Sequence, residues 1–251
     1  MLDQNMIDKN KNTINNIDYY DQLTRFFEND PSNTLMKIRS FANYVPRQVL
    51  SDFLVRYELF KMVKNHAGSI LEFGVFNGQG LMSFAQFSAI LEPNNLNRKI
   101  FGFDTFNGFE GISIKDAHGS SPYLTDGGFK VDSYSRLQEA IHLFDINRFI
   151  GHVPKVELIK GDVTKTLDKF LEENPHLIIS LLYLDMDIYK PTKYVLEKLL
   201  SRVPKGGVVA FDEINMKEYP GESLALMETV DLGTVELKKV SFCSRVSYFI
   251  K

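Results

Sequence analysis

The chain has 251 residues, of which 44% are hydrophobic and 24% are charged, so it can bury one substantial core. A net charge of −3 provides no global basic field, which argues against nucleic acid as a partner, and the single cysteine, Cys243, excludes an internal disulfide and a multi-cysteine metal site. The N-terminus lacks a basic start with a following apolar stretch, and no apolar run is long enough to span a bilayer, so we expect a cytoplasmic protein without a membrane span.

Residues 1–40 are predicted to form a polar N-terminal arm, ahead of a single domain at 41–251. The first 33 residues are rich in Asn, Asp and Lys and contain few apolar anchors, so the arm is either mobile or folds only against a partner. Residues 47–64 then place apolar side chains at helical spacing, and Gly68 follows as a stop signal, which predicts an amphipathic helix. The arm and this helix are candidates for homo-oligomer formation, although the helix would equally suit a cover over a ligand site of its own chain.

Strand-like apolar runs and helix-like segments alternate from residue 69 onwards. Five runs are typical of buried strands, in chain order SILEF, KIFGFDTF, KVELIKGDV, LIISLLYLDMD and GGVVAFDE, and two more, TVELKKV and SRVSYFIK, alternate apolar and polar residues. Repeated strand and helix order is typical of an α/β fold with an open sheet. We therefore expect a Rossmann-like, doubly wound and mostly parallel seven-stranded sheet with an antiparallel last strand and helices on both faces.

Two of the predicted strands end abruptly in carboxylates. The run LLYLDMDIY contains Asp185 and Asp187 at its end, and GGVVAFDE ends in Asp212 and Glu213. Because the carboxyl ends of parallel strands meet at one edge of a sheet, these groups are expected to converge. With no lysine or arginine among them, they would repel one another unless a cation lay between them, and oxygen ligands suit a hard ion such as Mg²⁺. The pattern predicts a divalent-metal enzyme.

A glycine-rich turn follows the first strand in the sequence EFGVFNGQG, which contains Glu72, Gly74 and Gly78. Such a turn lets a ligand approach closely, but it is also common without one and in dinucleotide-binding proteins. Glu72 favours a cationic ligand such as S-adenosylmethionine, because a carboxylate would repel the pyrophosphate of NAD. Asp104, at the end of the second strand, is expected to bind ribose hydroxyls, a feature shared with NAD enzymes. Asp162, after the third strand, is expected to meet the adenine amino group, to cap the following helix, or both.

Five stretches together closely resemble the macrocin (mycinamicin) sugar O-methyltransferase family, whose members are class I S-adenosylmethionine enzymes that need Mg²⁺. They are PRQVLSDFLVRYELFK, SILEFGVFNGQGLMSFAQFSAILEP, IFGFDTFNGFEGI, LLYLDMDIYKPTKYVLEKL and GGVVAFDEIN, and they fall within roughly residues 44–230. The resemblance implies that Asp185, Asp212 and Glu213 bind the metal, Mg²⁺ or Mn²⁺. It also implies a donor-binding set, namely Glu72, Gly74, Gly78, Asp104 and Asp162. The family more often has Asp-Asp where this chain has Asp-Glu, and the longer side chain of Glu213 is expected still to reach the ion.

Methyl transfer to a sugar hydroxyl requires stabilisation of the developing alkoxide and removal of the hydroxyl proton. A bound Mg²⁺ would supply the stabilisation if two adjacent acceptor oxygens chelated it. Asp185 or Asp187 is the candidate base, with His142 or His118 as the alternative. Asp187 would equally suit a cap on the helix that begins near Lys190.

Residues 107–134 are too many for a simple connection and are rich in Gly, Ser and aromatic residues, which predicts a lid over the acceptor, with 217–223 as a second candidate segment. The acceptor implied by the resemblance is a sugar, either nucleotide-linked or part of a capsule, another surface glycan or a natural product. The alternative is a catechol-like diol, which would chelate the metal in the same way. Two further hypotheses are a non-catalytic adenosyl-binding scaffold and an NAD-dependent oxidoreductase.

Overall fold

The computed structural model describes the backbone of residues 14–251 and the side chains from residue 18 onward. The beginning of the predicted polar arm, residues 1–13, therefore lies outside the described residues. The chain divides into two compact units, residues 1–50 and 51–251. No helix among the described residues is both long enough and apolar enough to cross a membrane.

The N-terminal unit is helical where it is described. It contains helix α1 (Ile14–Asn29) and helix α2 (Thr34–Arg39), although its composition predicted only a polar arm. Aromatic side chains supply the anchors that the composition obscured. The ring of Tyr44 stacks on Phe26 with a centroid distance of 5.4 Å and meets the edge of Phe27 at 5.3 Å. These ring contacts connect α1 to Tyr44, although Phe26 and Phe27 remain 49% and 48% exposed.

A single seven-stranded sheet forms the centre of the C-terminal unit. Its strands are β1 (Ser69–Phe73), β2 (Ile100–Asp104), β3 (Val156–Lys160), β4 (Ile179–Leu184), β5 (Val208–Phe211), β6 (Lys238–Lys239) and β7 (Ser247–Ile250). The helices that accompany the strands are α3 (Arg47–Val63), α4 (Gln79–Leu91), α5 (Tyr134–Asn147), α6 (Val163–Glu173), α7 (Tyr189–Leu199) and α8 (Gly221–Thr229). All seven strands were predicted, whereas α5 corresponds to none of the predicted elements.

The strand order β3-β2-β1-β4-β5-β7-β6 confirms the predicted doubly wound fold. Strands β1 to β5 pair in parallel, and β7 runs antiparallel to both of its neighbours. The order of the chain reverses between β1 and β4, since β1 has β2 on one side and β4 on the other. In open α/β sheets the crevice at such a reversal, outside the carboxyl ends of the strands, is where ligands bind. The fold therefore points to the ends of β1 and β4.

Alternating side chains of the strands build one hydrophobic core on each face of the sheet. On one face the strands pack against α3, α4 and α5 through residues that include Val55, Phe60, Leu81, Phe84, Phe144 and Leu181. On the other face they pack against α6, α7 and α8 through residues that include Phe73, Phe103, Leu167, Phe170, Leu196 and Phe211. Because β1 and β4 are covered on both faces, their ends are held rigidly, which suits a site that needs fixed carboxylates.

A buried arginine ties the opposite, amino end of the sheet together. Arg98 is 2% exposed, and its Nε lies 2.7 Å from Oε1 of Glu92. Its other nitrogens donate to a ring of acceptors, namely the carbonyls of Val63, Lys64, His66 and Gly68 and the hydroxyl of Ser180. These bonds connect the end of α3, the start of β1 and the start of β4.

Candidate active site

The glycine turn between β1 and α4 lies directly beside the end of β4. Gly74 has φ = +91°, and a Cβ at this position would lie 1.8 Å from the backbone oxygen of Asp185. Only glycine fits such a close approach of two backbones. Gly78 also has a left-handed conformation, with φ = +85°, and it immediately precedes α4. The two predicted glycines thus shape the turn that faces the crevice.

Glu72 is buried on β1 together with an arginine that was not predicted as a site residue. Glu72 is 1% exposed, and its Oε1 lies 3.9 Å from Nε of Arg56, which belongs to α3 and is 4% exposed. The Arg56 guanidinium also lies 3.4 Å from Oδ2 of Asp185 and covers the ring of Tyr183 at 4.8 Å. Arg56 therefore links the glycine turn to the acidic end of β4. The sequence feature that could have pointed to Arg56 is its position on the apolar stripe of α3.

The environment of Glu72 fits the ammonium group of an S-adenosylmethionine donor. Burial raises the pKa of Glu72 to about 8, in spite of the neighbouring positive charge of Arg56. Among the described residues, Oε2 of Glu72 and Nε of Arg56 have no hydrogen-bond partner. A buried acceptor without a donor is costly, and a cationic ligand group would satisfy it.

Asp104, the last residue of β2, binds the backbone of the glycine turn that follows β1 and the backbone that follows β2 itself. Its Oδ2 accepts a hydrogen bond from the amide of Phe76 at 2.7 Å, and its Oδ1 accepts one from the amide of Phe106 at 2.6 Å. Each carboxylate oxygen retains a second lone pair, so ribose hydroxyls can still bind. Phe76 and Phe106 adopt φ values of +50° and +52°, and Asp104 stabilises this rare conformation in both.

Asp162 caps helix α6, which was one of the two roles predicted for this residue. Its Oδ1 accepts a hydrogen bond from the amide of Thr164 at 2.9 Å, and its Oδ2 lies 3.0 Å from Nζ of Lys165. Burial favours a higher pKa for Asp162, but the hydrogen bonds from Lys165 and Thr164 outweigh it and hold the pKa below its usual value. The contact with adenine stays a prediction.

The four acidic residues lie at the adjoining ends of β4 and β5, as predicted. Hydrogen bonds align the ends, since the amide of Asp185 donates to Phe73 O at 2.8 Å and the amide of Asp212 donates to Leu184 O at 3.0 Å. Asp187, Asp212 and Glu213 are 9%, 2% and 6% exposed. Burial, followed by repulsion from Asp212, raises the pKa of Asp185 well above its usual value and that of Asp187 to about 7.

The prediction that no arginine accompanies this acidic cluster is wrong. Besides Arg56, Arg245 reaches it from the turn before β7, with Nε 3.3 Å from Oδ2 of Asp212 and Nη1 3.9 Å from Oε1 of Glu213. Its remaining nitrogen, Nη2, lies 3.4 Å from Oδ2 of Asp52. Neither arginine is near the acids in sequence, so only the fold brings the charges together. Part of the positive charge that the acids require therefore comes from the protein itself.

The acidic cluster suits a hard metal ion in its chemistry but is not arranged as a finished ion site. Asp185, Asp212 and Glu213 offer only carboxylate oxygens, which Mg²⁺ and Mn²⁺ prefer. Within residues 18–251, however, no three His, Cys, Asp or Glu side chains are grouped so as to hold a metal ion. Arg245 instead lies against Asp212 and Glu213.

Glu222 is a buried residue that sequence reasoning did not single out. It is completely buried at the start of α8, where its Oε1 accepts hydrogen bonds from the amides of Met186 at 3.1 Å and Asp187 at 3.3 Å. Its Oε2 accepts a hydrogen bond from the amide of Glu213 at 3.1 Å. One carboxylate thus fixes the backbone after β4 to the backbone after β5. Its sequence signal is weak, because an acid in the first turn of a helix is common.

The alternative role of Asp187 as a helix cap is wrong. The residue that precedes α7 is Ile188, whose own side chain makes no capping hydrogen bond. The amide of Tyr189 instead donates at 2.8 Å to Oδ1 of Asp116, a completely buried residue of the predicted lid. Asp187 has φ = +61°, a conformation that a non-glycine residue rarely adopts. The strain and the burial together favour a role at the site.

The two predicted lid segments contact each other. The hydroxyls of Ser121 and Tyr219 lie 2.6 Å apart, and the amide of Ser120 donates to the carbonyl of Lys217 at 3.3 Å. An aromatic group centred on Phe129 lies around them. The ring centroids of Phe76, Phe109, Tyr123 and Tyr219 are 5.1 to 6.2 Å from that of Phe129. His118 and His142 are exposed, which gives neither a defined place near the acids.

The chain is similar to known methyltransferases in sequence and in fold. The chain matches the Macrocin-O-methyltransferase (TylF) family over residues 56–225. A crystal structure of CalS11, calicheamicin methyltransferase, is similar with a TM-score of 0.91 at 32% identity, over 95% of this chain and 93% of that chain. An apo structure of CalS11, described as a TDP-rhamnose 3'-O-methyltransferase in calicheamicin biosynthesis, has a TM-score of 0.83 at 31% identity over 95% of each chain. The O-methyltransferase NovP shares the fold, with a TM-score of 0.57 at 18% identity over 83% of this chain and 81% of that chain. A search of curated protein sequences found no significant match.

Proposed function

The chain belongs to the macrocin O-methyltransferase family of S-adenosylmethionine-dependent enzymes, and from this premise we propose that it methylates a hydroxyl group of a sugar. The observation that carries the proposal is the likeness to CalS11, described as a TDP-rhamnose 3'-O-methyltransferase, over 95% of this chain. We infer a nucleotide-linked sugar or a surface or natural-product glycan precursor as the acceptor. Family membership removes the hypotheses of an NAD-dependent oxidoreductase and of a non-catalytic scaffold.

The donor would bind across the end of β1. Glu72 would accept a hydrogen bond from the ammonium group of the methionine portion through its unpartnered Oε2. Gly74 and Gly78 would let this portion approach the turn, and Asp104 would bind the ribose hydroxyls with its free lone pairs. Asp162 would meet the adenine amino group while it continues to cap α6. These roles bring the sulfonium methyl group toward the adjoining acidic cluster.

We assign the metal-ligand role to Asp185, Asp212 and Glu213, with Mg²⁺ or Mn²⁺ as the ion. When bound, the ion would stabilise the negative charge that develops on the acceptor oxygen. Tyr183 orients one ligand in advance, because its hydroxyl donates to Oδ1 of Asp212 at 2.8 Å. Glu222 holds the backbone of another, Glu213. Such bonds fix the ligands before the ion arrives.

Asp185 or Asp187 would remove the proton of the acceptor hydroxyl. Asp187 has a pKa of about 7, raised by burial and by the charge of Asp212, and a base is most effective when its pKa lies near the working pH. His118 and His142 are exposed and receive no structural support for this role. The proton would therefore be taken up at the acidic strand ends.

The segments 107–134 and 217–223 would cover the acceptor. Their mutual bonds through Ser121 and Tyr219 make them one surface beside the site. Deletion within 112–130 is expected to impair acceptor use and leave donor binding intact.

The aromatic group around Phe129 also supports the second candidate function, methylation of a catechol-like diol, because aromatic rings would pack against such an acceptor. We also propose that the protein forms a homo-oligomer and is located in the cytoplasm.

Calorimetric titration with S-adenosylhomocysteine tests the donor site. Binding at micromolar Kd that Glu72→Ala and Asp104→Ala both weaken, while Glu157→Ala on the exposed side of β3 does not, would support it. Methyl transfer would then be screened with nucleotide sugars and with catechols, each with Mg²⁺ and with chelator. Transfer to catechols alone would reject the sugar. No binding of S-adenosylhomocysteine by the folded protein would reject the donor assignment.

A further inference from the structure

Two arginines contact the acidic cluster, and they differ in their freedom to leave it. Arg56 is 4% exposed, is covered by the Tyr183 ring and contacts Asp185 from inside the core. The Arg245 side chain is 39% exposed and approaches Asp212 and Glu213 from the open side. A partly exposed guanidinium can rotate toward solvent more readily than a buried one.

The Arg245 guanidinium contacts the carboxylate oxygens that a bound ion would need. Its Nε lies 3.3 Å from Oδ2 of Asp212, and its Nη1 lies 3.9 Å from Oε1 of Glu213. A divalent ion bound by these two acids would need the same carboxylate oxygens. Two cations beside the same pair of carboxylates would repel each other. The ion and the guanidinium would therefore compete for these acids.

Arg245 already contacts an acid outside the predicted ligand set. Its Nη2 lies 3.4 Å from Oδ2 of Asp52 on α3, a side chain that is 28% exposed. When the guanidinium leaves Asp212, this contact can be kept while the other two are broken. Departure without a replacement would leave the buried Asp212 with only the Tyr183 hydroxyl as its polar partner among the described contacts. Removal of Arg245 and arrival of a divalent cation are thus coupled.

We propose that Arg245 is an internal counter-ion that alternates with the divalent metal at Asp212 and Glu213, and that Asp52 retains it when the metal is bound. The inference rests on the metal role given to these acids under the proposed function. It predicts that the apparent affinity for the metal is the intrinsic affinity multiplied by the fraction of molecules in which Arg245 has left the cluster. If Arg245 occupies the cluster in about nine molecules in ten, about one in ten is competent and the apparent Kd is raised about tenfold.

The test is titration of the full chain with Mn²⁺ alone, followed by calorimetry and by the electron paramagnetic resonance of free Mn²⁺. Arg245→Gln is expected to bind Mn²⁺ about tenfold more tightly than the wild type, and Asp52→Asn several-fold more weakly, because Arg245 then depends more on the cluster. Arg202→Gln, which removes an arginine whose bonds within the described part of the chain go to Pro175 O and Leu177 O, is the matched control and should leave the Kd unchanged.

Thermal unfolding gives an independent readout. Without metal, Arg245→Gln should melt below the wild type, and saturating Mn²⁺ should raise its melting temperature more than that of the wild type. Arg245→Lys, which keeps a positive charge, should lie between the two. Equal or weaker Mn²⁺ binding by Arg245→Gln would overturn the proposal. If no variant binds Mn²⁺, both the proposal for Arg245 and the metal role are overturned. In that case, binding of S-adenosylhomocysteine and methyl transfer in the presence of chelator would show that the methyltransferase assignment survives.

Discussion

Replacement of Glu222 by glutamine separates positioning of the acidic strand ends from donor binding. The carboxylate accepts three backbone hydrogen bonds, from Met186, Asp187 and Glu213. Glutamine has the same shape but only one side-chain oxygen. That oxygen can accept hydrogen bonds either from the amides of Met186 and Asp187 or from the amide of Glu213, but not from both sets. Its amide nitrogen then faces at least one backbone N–H, and two donors cannot pair.

The expected loss follows from that one orphaned amide. A buried donor left without an acceptor costs about 1–3 kcal/mol, so Glu222→Gln should lower the free energy of unfolding by this amount. Glu222→Ala leaves all three backbone N–H groups without this acceptor and should cost roughly 3–5 kcal/mol. The matched control is Glu228→Gln in the same helix, where an exposed carboxylate contacts Lys193, and a much smaller change is expected there.

Urea unfolding measures the stability, and two further assays measure the function. Because Glu222 contacts the backbone of Asp187 and Glu213 but no residue of the glycine turn, kcat for methyl transfer should fall at least about tenfold while the Kd for S-adenosylhomocysteine stays within about twofold. A variant with wild-type stability and wild-type kcat would refute the argument. A parallel loss of donor binding would show that Glu222 acts through the fold as a whole.

Two further perturbations test the buried charges. Arg98→Met should destabilise the chain by roughly 3–5 kcal/mol in urea unfolding, since the Glu92 carboxylate and the ring of carbonyls lose their donor, and a change below about 1 kcal/mol would contradict the account of this arginine. The pKa of Glu72 is about 8 in the folded chain, above its ordinary value of 4.5, so the stability it contributes is present at low pH and is lost as the pH rises toward 8. Urea unfolding of the wild type relative to Glu72→Gln should therefore show a stability difference that falls by on the order of 3–5 kcal/mol between pH 4.5 and pH 8, and a flat difference would refute the pKa.

Patterns within single elements were sufficient to predict the sheet. Each parallel strand is a short apolar run because both of its faces are covered, and this signal needs no knowledge of distant residues. The position of Asp185 and Asp212 followed from the same signal, since parallel strands end at one edge. Gly74 was predictable as part of a tight turn, but its contact with the Asp185 backbone was not.

The residues that sequence reasoning missed all act across long separations. Arg56 lies on a helix far ahead of Asp185 in the chain, and Glu222 bonds two loops that belong to different strands. The signal in each residue is ordinary by itself: an arginine on an amphipathic helix, and an acid in the first turn of a short helix. Their function depends on which backbone they meet, and that is decided by the packing of α3 and α8 on the sheet.

The charge of the acidic cluster shows why the metal argument needed the fold. From the chain alone, four acids at two strand ends carried no cation of their own, and an ion followed as the natural counter-charge. The structure adds Arg56 and Arg245, which contact Asp185, Asp212 and Glu213, so part of the repulsion is relieved without any ion. The raised pKa of Asp185, which results from burial and the charge of Asp212, indicates that the relief is incomplete. Under the proposed metal role an ion would have to displace Arg245, and that competition, rather than the number of acids, would set the affinity of the site for a metal.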